Sequence, residues 1–384
     1  MSWAVPPALE EIVYAAARAV VGDAALATSP LVRAIVDRSK RYTSERDRLS
    51  EASRGDLAAR AVFFTLADCM KIRLPLAELA ARGAMPGAAP LRVVDLGAGC
   101  GALSLGLIAA LERGAGVELT LVDRDGEALR IAAAAVATWA EACGVACRVT
   151  VRAADASGFA IPPADLVMMG SVLNELAPAA RVPLVAAAVG AIGRDGAVIV
   201  VEPALRETAR ALHEVRDAMI DRASAAPYGA APRSGEAGPW PTAHVVAPCT
   251  RRVAPCTALV DERDWCHEDR PLALPPRTAD LARITHLRDS GMKFAYLVLR
   301  AEPIAIAGWR LVSAPMPAKG KWEVTGCADA GRVPLRLLKR NKTGENRAFE
   351  RADRGDIVVT AAPVEAGRVE LAGAVEVVRV RGER

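Results

Sequence analysis

The feature that most constrains this chain is a short apolar run that ends in a turn with three glycines. Residues 92–101 read RVVDLGAGCG, and an Ala- and Leu-rich segment follows at once. Val93, Val94 and Leu96 are typical of a buried parallel strand. Glycine lets the backbone approach a ligand closely, and the start of a helix offers N–H groups that lack helical partners. The stretch therefore predicts a strand, a ligand-binding turn and a helix.

Two acids accompany this turn. Asp95 lies inside the end of the strand, and Asp123 follows a second apolar strand, VELTLV. The spacing Gly97-x-Gly99-x-Gly101 differs from the Gly-x-Gly-x-x-Gly of a dinucleotide site. It resembles the first motif of the S-adenosylmethionine (SAM)-dependent methyltransferases of the Rossmann-like class. That resemblance implies that Asp95, Gly97, Gly99, Gly101 and Asp123 hold SAM. The glycine turn would pass its methionine part, and Asp123 would hold the ribose hydroxyls.

Composition limits the class of protein. The chain has 384 residues, a net charge of +4 and a hydrophobic fraction of 52%, which is raised by alanine. No run approaches the ~20 apolar residues of a membrane-spanning helix. The start, MSWAVPPALEEIV, has neither the basic and apolar regions of a signal peptide nor the arginines of a transit peptide. We expect a cytoplasmic protein that does not associate with membranes and whose cysteines are reduced.

Three regions follow from the residue pattern. Residues 1–88 read as helices, with proline at the first start and glycine at the first stop. Residues 89–304 alternate strands and helices, which is typical of a parallel sheet. Residues 305–384 alternate β-branched and polar residues, which is typical of a small β-barrel. We therefore predict an α/β fold, a Rossmann-like class I SAM-dependent methyltransferase sheet with an N-terminal helical region and a small C-terminal β-barrel-like domain.

Polar residues follow two more strands, at the edge where open α/β sheets bind ligands. Asp155 follows the third predicted strand, where methyltransferases of this class often place an acid near the adenine amino group; a turn or helix cap is the equal alternative. Asn174 and Glu175 follow the fourth, in a segment that lacks the Asn/Asp-Pro-Pro-aromatic motif of many amino-methyltransferases. Asn174 either binds SAM, binds substrate or caps the next helix. No catalytic base is identified.

Three cysteines fall in one Pro-rich, charged loop, residues 248–270. They are Cys249, Cys256 and Cys266, and Cys327 lies further on in a β-like segment. Thiolates gathered at one point need a cation or a bond to offset their repulsion. Four thiolates suit zinc or an iron–sulfur cluster, and the lack of Cys-x-x-Cys pairs weakens zinc. The spacing leaves the metal's identity open, with His267 as an alternative ligand.

Basic residues are concentrated in both flanks of the chain. One explanation is a solvated surface, and the other is contact with RNA phosphates, which we favour for the β region. The residues are Arg33, Arg38, Lys40, Arg41, Arg46, Arg48, Arg54 and Arg60 in the first flank, and Lys319, Lys321, Arg332, Arg336, Lys339, Arg340, Lys342, Arg347 and Arg351 in the second.

Several motifs between about residues 90 and 360 together resemble one family. They are the glycine turn, VLNEL, VEP, the cysteine block APC…PC…DWCH, MKFAYLVL and GWRLVSAP. The family is that of the methyltransferase-like proteins associated with the small ribosomal subunit, bacterial and mitochondrial, whose mitochondrial members act as assembly factors. The resemblance implies binding to small-subunit ribosomal RNA (rRNA) or its precursor particle. It also implies a four-iron, four-sulfur (4Fe-4S) cluster on Cys249, Cys256, Cys266 and Cys327.

Three functions stay open at this point. The chain is an active rRNA methyltransferase, a ribosome-assembly protein that uses the methyltransferase fold for binding, or a small-molecule SAM-dependent methyltransferase with a structural zinc site. The missing amino-methyltransferase motif favours the second over the first, and the basic flanks favour both over the third. Whether the chain is an enzyme is left open. We expect a monomer when the chain is away from the ribosome.

Overall fold

The structure is a computed structural model with two eight-stranded sheets, a short two-stranded sheet and a helical N-terminal region. No helix in the described part of the chain is both long and apolar enough to cross a membrane. Two basic residues of the first flank, Arg46 and Arg48, lie outside the described residues. The structure describes residues 3–44, 53–225, 243–288, 291–304 and 307–380.

The N-terminal region is helical, as the sequence predicts. Helix α1 begins at Pro7, because proline suits the first helical position, and it stops at Gly22, whose N–H donates to the carbonyl of Arg18. The elements are β1 (Trp3–Ala4), α1 (Pro7–Val21), α2 (Asp23–Leu26), α3 (Thr28–Ser44), α4 (Arg54–Ala59), a π-helical turn (Arg60–Phe64), α5 (Thr65–Asp68), a 3-10 turn (Cys69–Ile72) and α6 (Arg73–Ala81).

This region packs on the central sheet and shares its core. Leu9, Val13 and Phe63 belong to the same buried cluster as Val93 and Leu119 of the sheet. In addition, β1 pairs in parallel with the short strand β9 (Leu272–Ala273), far along the chain. The helices therefore cover one face of the sheet.

The central sheet has the hydrogen-bonded order β4-β3-β2-β5-β6-β10-β7. The strands fall where the sequence predicts them, and the short strand β8 (Glu268–Arg270) adds to β10. Their bounds are β2 (Leu91–Leu96), β3 (Gly116–Asp123), β4 (Ala146–Ala153), β5 (Ala164–Gly170), β6 (Ile192–Pro203), β7 (His244–Ala247) and β10 (Met292–Arg300).

One expectation about this sheet is wrong. The first five strands pair in parallel, but β10 lies between β6 and β7 and runs antiparallel to both, so the sheet is mixed. The reason is that β10 is buried on both faces like its parallel neighbours. An apolar run of that kind does not reveal the direction of its strand.

Helices cover both faces of the sheet and separate two cores. Alternate residues of β5 show this, since Met168 belongs to the first core and Met169 to the second. Helices α7 (Ala102–Ala110) and α8 (Gly126–Cys143) lie on the first face; α9 (Pro178–Ala191) and α10 (Arg206–Ala225) lie on the second. Helix α11 (Pro276–Thr285) joins the N-terminal helices.

The C-terminal region is the predicted all-β unit, with its own core around Leu311, Leu335 and Phe349. The order is β16-β17-β14-β13-β11-β15-β18, with β12 beside β13. Among the described residues, no pairing joins β16 to β18, so hydrogen bonds do not close this sheet into a barrel. The strands are β11 (Trp309–Leu311), β12 (Met316–Ala318), β13 (Lys321–Ala328), β14 (Gly331–Leu338), β15 (Ile357–Val359), β16 (Val364–Glu365), β17 (Arg368–Glu370) and β18 (Glu376–Val378).

A buried ionic cluster ties the three regions together. Glu78 of α6 is fully buried and pairs with Arg310 of β11, with 2.7 Å between Oε1 and Nη1. The hydroxyl of Tyr296 in β10 donates to the same carboxylate at 2.7 Å, and Arg82 pairs with it as well. One carboxylate thus fixes the second sheet against the first.

Candidate functional site

The glycine turn has the predicted form. Strand β2 ends at Leu96, α7 begins at Ala102, and Gly97 and Gly99 between them have φ of +68° and +54°. A Cβ on Gly97 would lie 2.4 Å from Cγ2 of Val172. Both the left-handed backbone and this close approach require glycine. The backbone of the turn is therefore accessible to a ligand at this edge of the sheet.

The two acids of the motif have different positions. Asp123 ends β3, and its carboxylate accepts hydrogen bonds from the N–H of Gly99 at 2.8 Å and of Asp125 at 2.9 Å. Asp95 is only 1% exposed and accepts from the Ser104 hydroxyl at 2.5 Å. Burial raises the pKa of Asp95 to about 7. Asp123 therefore binds the backbone of the turn, whereas Asp95 is buried and binds the helix that follows it.

A cavity of about 810 Å³ opens at the carboxyl ends of the parallel strands. Asp95 instead borders a small adjoining cavity of about 50 Å³, which shares Gly97 and Asp68 with the large one. Gly101 faces α8, where an added Cβ would lie 3.1 Å from Cβ of Ala132. Asn174 does not border the large cavity, although its neighbour Glu175 does. The predicted cofactor residues that line the large cavity are Gly97, Gly99, Asp123 and Asp155.

Asp155 closes a turn at the cavity wall. Its carboxylate accepts hydrogen bonds from the N–H of Ser157 at 2.8 Å and from the Ser157 hydroxyl at 2.5 Å. These bonds lower the pKa of Asp155, which keeps the carboxylate charged. Asp155 can therefore close this turn and, as the sequence suggests, also lie near the adenine amino group of SAM.

Glu202 organises the segment after β5, a role that the sequence did not reveal. It is 1% exposed, and its carboxylate accepts from the N–H of Leu173 at 2.9 Å. The N–H groups of Val172 and Asn174 bind the same carboxylate. Burial outweighs these bonds and raises the pKa of Glu202 to about 8. The available signal was an acid at the end of a buried strand, directly before a proline.

This buried acid makes stability depend on pH. Between the ordinary pKa of 4.5 and the folded value of about 8, folded Glu202 keeps a proton that the unfolded chain has lost. Stability therefore falls as pH rises through this window, by up to about 1.4 kcal/mol per pH unit. Glu202→Gln keeps an acceptor and cannot ionise. We expect its stability relative to wild type to grow with pH by that slope in denaturant titrations.

The exposed Glu141 at the end of α8 supplies the matched control, Glu141→Gln. A Glu202→Gln variant whose unfolding free energy followed pH in parallel with wild type would show that Glu202 does not carry this dependence.

The arginines of the first flank are held by carboxylates of the protein. Arg38 and Arg41 both pair with Asp56, each at 2.9 Å. Arg60, in the π-helical turn, pairs with Asp125 at 2.5 Å. Arg38 and Arg60 also line the large cavity. These contacts place them at the cavity; RNA contact by Arg33, Lys40 and Arg54 stays a prediction.

Helix α10 holds the cysteine loop. The guanidinium of Arg210 donates to the carbonyls of Ala258 and Asp264, both at 2.8 Å, and of Asp261 at 2.7 Å. One helical turn on, the ring of His213 is 3.1 Å from the carbonyl of Cys266. A single helix face therefore fixes a loop that has little regular structure of its own.

The same helix gathers the cysteines. Asp217 accepts from the N–H of Cys256 at 2.7 Å, and Arg216 hydrogen-bonds to the thiol of Cys249. The second sheet contributes Cys327: the hydroxyl of Thr250 donates to the Cys327 carbonyl at 3.0 Å, and the hydroxyl of Thr257 is 3.6 Å from its sulfur. These contacts bring the four predicted cysteines, Cys249, Cys256, Cys266 and Cys327, to one place between the two sheets.

The thiols act on one another. Burial raises the pKa of Cys266 well above its usual value, and Cys249, Cys256 and Cys327 raise it further. Burial and Cys249 raise the pKa of Cys256 to about 12. In the residues that the structure describes, however, no three His, Cys, Asp or Glu side chains are arranged to hold a metal ion. The four cysteines therefore converge, but the described residues do not have the geometry of metal ligands.

The strand order, the glycine turn after β2 and the acid after β3 define a class I SAM-dependent methyltransferase fold. The chain belongs to the Rsm22 family, described as mitochondrial small ribosomal subunit Rsm22, whose model matches residues 59–358. That range contains the glycine turn, the cavity and all four predicted cysteine ligands.

Solved structures resemble parts of the chain. Mitomycin 7-O-methyltransferase MmcR is 19% identical over 39% of each chain, with a TM-score of 0.29. A putative RNA methyltransferase from Pyrococcus horikoshii is 23% identical over 38% of this chain and 64% of its own, with a TM-score of 0.28. Magnesium protoporphyrin IX methyltransferase from Synechocystis was solved with bound SAM. It is 17% identical over 47% of this chain and 83% of its own, with a TM-score of 0.31. No curated protein sequence matches the chain.

Proposed function

We propose that this chain binds SAM and small-subunit rRNA and serves in the assembly of the small ribosomal subunit in the cytoplasm, as a monomer when away from the ribosome. The observation that carries the proposal is the family match over residues 59–358, since the family is described by the small ribosomal subunit. The experiment that tests it is the identification of the RNA that cross-links to the chain in cells.

The large cavity supports the SAM part of this proposal. Its wall contains the backbone of Gly97 and Gly99, the carboxylate of Asp123 and, further along the sheet edge, Asp155. Carboxylates at the ends of neighbouring strands suit the hydroxyls and the amino group of an adenosine. A glycine turn leaves room for the methionine part of SAM to lie close to the backbone.

Asp123→Ala is expected to weaken SAM binding by on the order of 1–3 kcal/mol, through lost charge-assisted hydrogen bonds to the ribose. Because Asp123 also holds the N–H of Gly99, Asp123→Asn keeps an acceptor there and should lose less. Titration calorimetry measures both. Asp195→Ala, at a 95% exposed carboxylate far from the cavity, is the control. Wild-type protein that binds no SAM would refute the assignment.

The second sheet supports the RNA part. Nine basic residues lie between residues 319 and 351. Some of them pair with internal carboxylates, as Arg38, Arg41 and Arg60 of the first flank do, but in the described part of the chain Lys319, Lys339 and Arg340 form no ion pair. Phosphate contacts release counterions, so we expect affinity for small-subunit rRNA to fall steeply with salt.

The cysteine site supports a metal centre, with a 4Fe-4S cluster as our proposal and zinc as the alternative. The donor set fits in its chemistry, since four thiols gather around a helix that supplies their hydrogen bonds. Cys249, Cys256, Cys266 and Cys327 would hold the group, which would offset their mutual repulsion and tie the two sheets together. The four thiols must lose their protons when the metal centre binds.

Methyl transfer to the bound RNA is a second candidate function. One observation favours it: beyond the glycine turn the cavity continues to Asp68, Arg288 and Lys293, polar side chains from other parts of the chain. Arg288 has a left-handed φ of +63°, and such strained residues concentrate at ligand sites. Transfer of a labelled methyl group from SAM to small-subunit RNA tests this function separately from binding.

A further inference from the structure

The second sheet carries one half-buried tryptophan among basic side chains. Trp322 of β13 packs against the core of that sheet. The ammonium groups of Lys339 and Lys342 lie 5.5 Å and 5.7 Å from the centroid of its ring. The turn before β13 reaches the same place, because the N–H of Lys339 donates to the Gly320 carbonyl at 2.9 Å. We define the Trp322 patch as Lys319, Trp322, Lys339, Arg340 and Lys342.

Exposed cations without an ion-pair partner cluster at this patch. In the part of the chain that the structure describes, no carboxylate forms an ion pair with Lys319, Lys339 or Arg340, and all three are exposed. Arg340 is near enough to Glu370 to help lower the pKa of that carboxyl. Lys342 pairs with Glu350 at 2.7 Å.

Several other cations of this sheet are already paired. Lys321 pairs with Glu323 at 2.9 Å, and internal carboxylates pair in the same way with Arg332 and Arg336. An incoming phosphate therefore meets available cations at the Trp322 patch without first displacing an internal carboxylate.

We propose that the Trp322 patch binds single-stranded RNA, with one base stacked on the indole ring and its phosphates on Lys319, Lys339 and Arg340. The inference rests on the proposed function, because it locates the RNA surface of that function. Stacking on an aromatic ring accepts any base, and flanking cations neutralise the backbone. Bases in a duplex are covered by their neighbours, so the patch selects unpaired RNA.

Two substitutions separate stacking from packing. Trp322→Leu and Trp322→Phe both keep an apolar side chain against the core, but only phenylalanine keeps an aromatic face. The probe is an oligonucleotide copied from a single-stranded stretch of small-subunit rRNA, free or annealed to its complement. We expect Trp322→Leu to weaken binding of the unpaired probe about 5- to 100-fold, and Trp322→Phe to retain most of it.

Salt dependence tests the cations. Lys339→Gln should reduce the slope of log affinity against log salt by about 0.7, the value for one phosphate contact on a single strand. Lys321→Gln, at the neighbouring paired lysine, is the matched control and should leave the slope unchanged.

Equal weakening by Trp322→Leu and Trp322→Phe would overturn the inference, as would equal affinity for the paired and unpaired probes. It would also fail if the patch bound a small-subunit protein while its substitutions left RNA affinity intact. In those cases wild-type RNA binding, and with it the proposed function, would stand. Wild-type protein that bound no small-subunit RNA would refute the proposed function itself.

Discussion

Replacing Glu78 by glutamine is expected to lower the free energy of unfolding by about 3–5 kcal/mol, as for other buried ion pairs that lose one partner. Glu78 is fully buried, and its carboxylate is shared by Arg82, Arg310 and the hydroxyl of Tyr296. Glutamine keeps the shape but removes the charge. Two buried guanidinium groups would then lack their counter-charge. Chemical denaturation of the variant measures the loss.

An exposed pair provides the control for this substitution. Glu11 and Arg277 are 2.9 Å apart with side chains 62% and 47% exposed, and Glu11→Gln should cost at most about 1 kcal/mol. Adding Arg310→Met to Glu78→Gln removes one orphaned charge and should recover part of the loss. A Glu78→Gln variant as stable as the control would contradict the account of this cluster.

Cys327→Ser is expected to abolish the iron–sulfur absorbance of the anaerobically purified protein and to weaken RNA binding, while SAM affinity stays close to wild type. Cys327 is the one ligand that the second sheet supplies to the proposed cluster. Losing a group that binds only the folded state also lowers stability. The SAM cavity shares none of the four cysteines. Absorbance, iron and sulfide analysis and calorimetry measure these effects.

The structure limits how far this change should spread. The Glu78–Arg310 pair still ties β11 to α6, so we expect loosening around β13 rather than release of the whole sheet. Cys143→Ser, at a half-buried thiol at the end of α8, is the matched control. If the wild-type protein is colourless and contains stoichiometric zinc, the four cysteines bind zinc and not an iron–sulfur cluster. A Cys327→Ser variant with a full cluster would place the fourth ligand elsewhere, with His267 the first candidate.

Local patterns in the sequence predict most of the fold. The glycine turn, the acid of β3 and the places of the strands depend on neighbouring residues, so the sequence predicts them correctly. The direction of β10 was missed, because burial on both faces looks alike in parallel and antiparallel strands.

The site was predicted less completely, because its contacts join distant residues. Arg60 reaches Asp125, and Glu202 reaches the backbone of Leu173, across separations that no spacing rule describes. Asp95 belongs to the same motif as Asp123, but it is buried and binds Ser104 of the following helix. Motif membership therefore identified the neighbourhood of the cavity and not the role of each acid.

For the cysteines, the sequence predicts which residues meet but not what holds them in place. The residue types and the family resemblance predict that Cys327 of the second sheet joins the cysteines of the loop 248–270, and Thr250 and Thr257 contact it there. What the sequence did not reveal is the support from α10, where His213 and Asp217 bind the backbone of the cysteine loop. Those polar residues look like an ordinary solvated helix face.

The proposed function depends above all on binding to small-subunit rRNA. Its most direct test is ultraviolet cross-linking in cells, followed by purification of the full chain and sequencing of the attached RNA. We expect the cross-linked RNA to be strongly enriched in small-subunit rRNA or its precursor over large-subunit rRNA, transfer RNA and messenger RNA. We also expect that Trp322→Leu reduces that enrichment while Lys321→Gln does not. Cross-linked RNA with no such enrichment in the wild-type protein would contradict the proposed function.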